Sequence, residues 1–153
     1  MRRLADSLHA VVLTLWVGGL WTIGYLVAPT LFSTLADRAL AGVVAGKLFA
    51  LIGWVGVGGG AYLLIFMRLR HGAAVWRSWN FRVLLAMWLL AAASLFGIQP
   101  LMAQMKAEAL PREVMESALR ERFAVWHGIS SILYLVQSLL GLWAVAAVAR
   151  AKT

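Results

Sequence analysis

His127, Ser130, Ser131 and Tyr134 stand at i, i+3, i+4 and i+7 of an apolar run. On a helix these positions share one face, and Gln137 and Ser138 continue it. Polar groups are costly in hydrocarbon, so such a stripe on a membrane helix should face other helices or a cavity rather than lipid. An imidazole there can hold a proton, ligate a metal or hydrogen-bond a solute, and the hydroxyls can orient that solute. Further residues join the candidate list. His9 and Trp16 lie seven apart on one face of the first apolar run. Gln99 stands beside Pro100, a partner from a third run for the polar stripe. Met102 and Met105 follow just beyond, at the expected level of His127.

Imidazole with thioether suits copper(I) or a haem iron, so His127, Met102 and Met105 form a candidate metal set. Methionine is also a common filler of apolar gaps, which is the plainer reading of the same spacing. Two facing histidines would suit a haem b, but His9 and His127 enter their helices from opposite ends. At 1.5 Å per residue their heights differ by roughly 15–20 Å, too far for one iron. Haem with one histidine and a second ligand, such as methionine, stays open. His127 has both a structural hydrogen-bonding reading and a ligand, proton or solute reading. His9, nearer an interface, leans to the structural one. His71 falls in a basic loop and reads as solvated.

No enzyme constellation accompanies these groups. All six acidic residues fall outside the apolar runs. No metallohydrolase spacing occurs, and the paired serines have no carboxylate-backed histidine base. The absence of cysteine excludes disulfides, thiolate metal sites and cysteine nucleophiles. The sequence therefore leans away from enzyme activity.

The elements that must position these residues follow from composition. Of 153 residues, 63% are hydrophobic and 13% charged, with a mean hydropathy of +0.84. Soluble domains are nearer 45–50% apolar and about 25% charged. The bilayer is thus the expected solvent. A single domain, 1–153, is expected as an all-α, integral membrane four-helix up-down bundle. Its helices span about 5–28, 43–66, 83–104 and 123–147, each long enough for a ~30 Å hydrocarbon core. Asp6 or Ser7 could cap the first helix. Pro29 and Pro100 mark kinks near the far ends of helices one and three. Lys106 to Arg122 reads as a solvated or interface-lying amphipathic segment with Pro111 in its first turn. The basic amino terminus imitates a signal peptide, but the run from Leu8 to Ala28 spans and no small-x-small site ends it, so a retained helix is expected.

Charge sets the threading. Arg2, Arg3, Arg68, Arg70, Arg77, Arg82, Arg150 and Lys152 flank the termini and second loop, against one acid, Asp6; the other side is nearly balanced. The positive-inside rule then puts both termini and the basic second loop in the cytoplasm. This accounts for the net charge of +8 without nucleic acid. Gly53, Gly56 and Gly60 form a small-residue face, and Gly18-Gly19 another. Such faces let helices approach closely, within the chain or in a homo-oligomer or membrane complex.

Leu8-His9, the run Trp16-Val17-Gly18-Gly19-Leu20-Trp21, Gln99-Pro100, and Phe123-x-x-Trp126-His127-Gly128-Ile129-Ser130-Ser131 carry a resemblance across nearly the whole chain. With them the sequence resembles the bacterial domain-of-unknown-function 4149 family, itself similar to the eukaryotic transmembrane protein 205. The resemblance implies a small four-helix membrane protein and assigns no reaction. The eukaryotic protein is associated with platinum-drug resistance and vesicular traffic. A fainter likeness, in the helix-one histidine and Trp-x-Gly-Gly, is to copper-resistance and haem-linked four-helix membrane proteins. The expected function is binding or movement of a small solute or metal ion at the polar intramembrane face. The alternative is a haem-binding redox protein or subunit.

Overall fold

The computed structural model describes residues 2–109, 115 and 118–150, with side chains from residue 4 onward. Among the described residues, four helices are long and apolar enough to cross a membrane: Leu4–Thr34, Arg38–Arg77, Trp79–Ala109 and Arg120–Arg150. They pack as an all-α four-helix bundle in which each span touches the next and the fourth closes on the first. Arg2, Arg150 and the turn at 72–78 therefore lie at one end, here the terminal end. The protein is a multi-pass membrane protein. Its outward face fits that solvent: Leu15, Leu26, Leu51, Ile65, Ile132 and Leu142 are all more than half exposed, which suits lipid and not water.

The first span is α1 (Arg2–Thr22), a π-helical turn (Ile23–Val27) and α2 (Ala28–Thr34). The second is α3 (Arg38–His71) with a 3-10 turn (Gly72–Arg77). The third is α4 (Trp79–Ala93), a π turn (Ser94–Ile98) and α5 (Gln99–Ala109). The fourth is α6 (Arg120–Arg150).

The prolines explain the π turns. Pro29 and Pro100 each lack an N–H, and their rings crowd the carbonyls of Tyr25 and Phe96, four residues back. Widening the preceding turn relieves this. The Ala28 N–H bonds to the Ile23 carbonyl and the Gln99 N–H to that of Ser94, five residues back in both cases. Neither helix stops at its proline, so the first and third spans run several residues beyond the limits expected from sequence.

Helix ends are set locally. Asp37 caps α3, its carboxylate accepting from the Leu40 N–H at 3.0 Å. Gly72 ends that helix with φ +60, where only glycine is unstrained. Asp6 has no capping role, because α1 begins before it; it pairs instead with Arg70 of α3. The expected amphipathic segment divides. Lys106 to Ala109 belongs to α5 and Arg120 to Arg122 to α6. Pro111 and most of the remainder lie outside the described residues.

The core is built on Trp16, fully buried with Leu13, Val17 and Leu20 on one face of α1. It fits because α3 offers glycine. A Cβ on Gly56 would stand 2.6 Å from the Trp16 indole nitrogen, and one on Gly60 2.7 Å from Trp88 and 3.1 Å from Trp16. Gly53 abuts Leu95 and Gln99. The glycine face of α3 is thus packed inside the chain, against the first and third spans. Gly18 instead faces open space.

Candidate functional site

The polar stripe of α6 divides along its length. Tyr134, Gln137 and Ser138 turn inward, and each reaches a backbone carbonyl. The Tyr134 hydroxyl donates to Leu20 at 2.5 Å, the Gln137 amide to Met87 at 3.4 Å and the Ser138 hydroxyl to Tyr134 at 2.8 Å. His127 and Ser131 are exposed, the Ser131 hydroxyl donating to the His127 carbonyl at 2.8 Å, and Ser130 is half-buried between them.

Other helices repeat the device. Trp21 donates to the Ser138 carbonyl at 3.3 Å and Trp88 to that of Val57 at 2.9 Å. A helical carbonyl keeps a second lone pair after its own ladder bond, so these contacts tie spans together without opening either ladder. Such bonds hold membrane helices together. They also commit most polar groups that could otherwise meet a solute.

The end opposite the termini differs. Gln99 and Tyr134 converge there on Phe49: the Gln99 amide donates to the Phe49 carbonyl at 3.1 Å, and the Tyr134 ring meets the Phe49 ring edge-on at 5.2 Å. Tyr134 lies so close to Gly24, inside the first π turn, that no side chain fits at Gly24. Beyond them toward this end is Lys106. It is half-buried, its ammonium donating to the Gly42 carbonyl at 2.8 Å and standing 3.6 Å from where a Gly46 Cβ would be. Those two glycines leave the trough in which it lies. The same ammonium is 5.7 Å from the centre of the Phe123 ring. His127 stacks on that ring too, at 5.7 Å and 12°. Among the described residues no carboxylate pairs with Lys106. Met105 is buried against Phe123, with Met102, Leu101 and Trp126 around it.

His9 lies at the terminal end, half-buried beside Phe66 at 5.3 Å. Its Nδ1 is buried without a hydrogen-bond partner. It lines a cavity of about 50 Å³ with Asn80, Met67 and Trp143, enough for a water molecule between polar groups. Trp16 is shut in the core, its indole N–H also without a partner. Of the sequence candidates, then, Gln99, Tyr134, His127, Met102 and Met105 lie toward the end opposite the termini, while His9 and Trp16 do not join them. Among the described residues no three histidine or acidic side chains cluster to hold a metal.

Lys106 is absent from the sequence candidates, because a third helix ending at Gln104 leaves it in a solvated segment. A signal for it exists. Gln99 and Lys106 are seven apart, and so are the carbonyls they reach, Phe49 and Gly42. Antiparallel helices in contact pair residues in this way, and Gly42-x-x-x-Gly46 marks the receiving groove.

No curated protein and no solved structure matches the chain. A family model does, over residues 11–111, which takes in the first span from Val11 and the whole of the second and third, with Trp16, Gln99 and Lys106. That match covers well over half of the sequence, so this four-helix membrane protein belongs to the family described as Domain of unknown function (DUF4149).

Proposed function

We propose that this is a non-enzymatic membrane protein that binds a small anionic solute, of the carboxylate or phosphate class, at the outer end of the bundle. The observation that carries this reading is the Lys106 ammonium. It is drawn from water into a glycine trough, bonded to one carbonyl, and without a carboxylate among the described residues. An ammonium has three protons to donate, so two remain for a ligand. An interfacial lysine usually stretches to water. This one turns across α3 and over Phe123, where His127 can add a second donor. Movement of the solute through the polar helix-four face extends the same proposal.

The positive charge favours an anion over the metal set of His127, Met102 and Met105, since a metal ion there would meet the ammonium. Copper or haem binding by His127 remains the competing reading, and it predicts a coloured or metal-loaded protein. Threading with both termini in the cytoplasm of a bacterial inner membrane is part of the proposal and rests on the basic residues of the terminal end. So is the further likeness to the eukaryotic transmembrane protein 205.

The test is thermal unfolding of the detergent-purified protein with phosphate, acetate or chloride at equal ionic strength. Phosphate or acetate raises the unfolding temperature of the natural protein and not of Lys106→Met. Lys106 is half-buried and the substitution removes one hydrogen bond to a carbonyl, a loss of about 0.5–1.5 kcal/mol, so Lys106→Met keeps its fold. Equal responses of both proteins, or a Soret band or stoichiometric copper lost in His127→Ala, would overturn the anion reading.

A further inference from the structure

We propose that the groove between α4 and α6 at the terminal end binds one anionic phospholipid, its acyl chain in the groove and its phosphate at Arg82. The groove has a volume of about 360 Å³ and is walled by Trp79, Val83, Val136, Leu139, Leu140 and Trp143. It opens on the lipid-facing side, where Trp79 and Leu139 are each more than half exposed. The two tryptophans meet edge-on at 6.4 Å. Tryptophan at both membrane surfaces is ordinary. A cleft between two spans with a charge fixed at its rim is not accounted for by that.

The charge is Arg82. Its guanidinium stacks over the Trp79 ring, 5.0 Å from the centroid, so it is held against the wall of the groove. It lies at headgroup height, since α4 begins at Trp79 and the preceding turn carries Arg77. The sole acid of this end, Asp6, is taken by Arg70 on another helix. Arg82 therefore faces the membrane surface with no acid of its own among the described residues.

A planar guanidinium matches a phosphate through two parallel bonds, and basic pockets between spans recognise anionic headgroups in this manner. A zwitterionic headgroup brings its own ammonium into a field set by Arg77 and Arg82, and is disfavoured. A second protein helix fits less well, because it would cover Arg82 without supplying the counter-charge. The chain and the headgroup are recognised together, which distinguishes this site from one for free phosphate.

Native mass spectrometry of the purified protein, mixed with phosphatidylglycerol and phosphatidylethanolamine of identical chains, tests this. The expected result is one phosphatidylglycerol retained at activation energies that strip phosphatidylethanolamine, with several-fold higher occupancy. Arg82→Gln should bring the two lipids level. Leu139→Trp, which fills the groove from an exposed position, should lower occupancy by both. Glycerol 3-phosphate should not compete at concentrations where short-chain phosphatidylglycerol does. Equal retention of the two lipids by the natural protein would overturn the proposal. So would unchanged preference in Arg82→Gln, full occupancy in Leu139→Trp, competition by glycerol 3-phosphate, or a dimer that seals the groove.

Discussion

At the scale of single residues, the pairing of Trp16 with Gly56 carries the clearest energetic consequence. A large indole can be fully buried at the bundle axis only because the facing helix has no side chain there. A methyl group at Gly56 must displace a rigid ring rather than a flexible chain end. Gly56→Ala should therefore lower stability by about 1–3 kcal/mol, the usual cost of overpacking. Gly58→Ala, two residues away with open space at its Cβ, should leave stability unchanged or raise it by up to about 1 kcal/mol through helix propensity. Combining Gly56→Ala with Trp16→Leu should restore part of the loss relative to the sum of the single changes. Reversible unfolding in mild detergent would measure all four, and additive effects would refute the clash. The glycine pattern was legible in the sequence. Trp16 as its occupant was not: its seven-residue spacing from His9 suggested a shared site, whereas packing placed one at the axis and the other at a cavity near the surface.

At the scale of elements, the two π turns let the first and third spans continue past their prolines, and so set what lies beyond. In the third span the π turn precedes the heptad pair Gln99 and Lys106, which lock α5 onto α3 through Phe49 and Gly42. A π turn is a helix with one residue more than its turn needs. Deleting Gly97, which is exposed and touches nothing at its Cβ, should restore an ordinary turn and leave Lys106 facing Gly42. Inserting an alanine after Gly97 should rotate everything beyond by about 100° and turn Lys106 away. Anion-dependent stabilisation should then survive the deletion and vanish on the insertion. The reverse outcome would show that the π turn itself positions the site. Both prolines were legible as disturbances. Their outcome was not, because a proline can end, kink or widen a helix, and neighbouring contacts decide which.

At the scale of the whole molecule, the bundle has two dissimilar ends. The terminal end holds Arg68, Arg70, Arg77 and Arg82, the His9 cavity and the tryptophan-walled groove. The other holds the π turns, the aromatic cluster around Phe49 and Tyr134, and Lys106 with His127. Between them the inward polar groups of α6 are bonded to carbonyls, and the axis is filled by Trp16, Met87 and Leu63, all fully buried. Any passage through the molecule would have to break those contacts. The threading is directly testable. A fluorescent protein fused after the last residue should fold and fluoresce in bacterial cells, and alkaline phosphatase inserted at Ala36, in the turn between α2 and α3, should be active. Activity in the opposite pattern would invert the assignment of ends.

The hydropathy and length of each apolar run are properties of the chain in one dimension. The sequence alone therefore determined that the solvent is a bilayer, that four helices cross it, and that basic residues collect at one end. Tertiary structure alone decided what each polar side chain does. A helix face has meaning only once its partner and its register are known, and both depend on where the neighbouring helices end. Extending the third span by one turn moved Lys106 from an expected surface segment into a glycine trough. Closing the fourth span on the first and third turned Tyr134 and Gln137 of an apparent binding stripe into donors to neighbouring helices, and left the Ser138 hydroxyl bonded within its own helix.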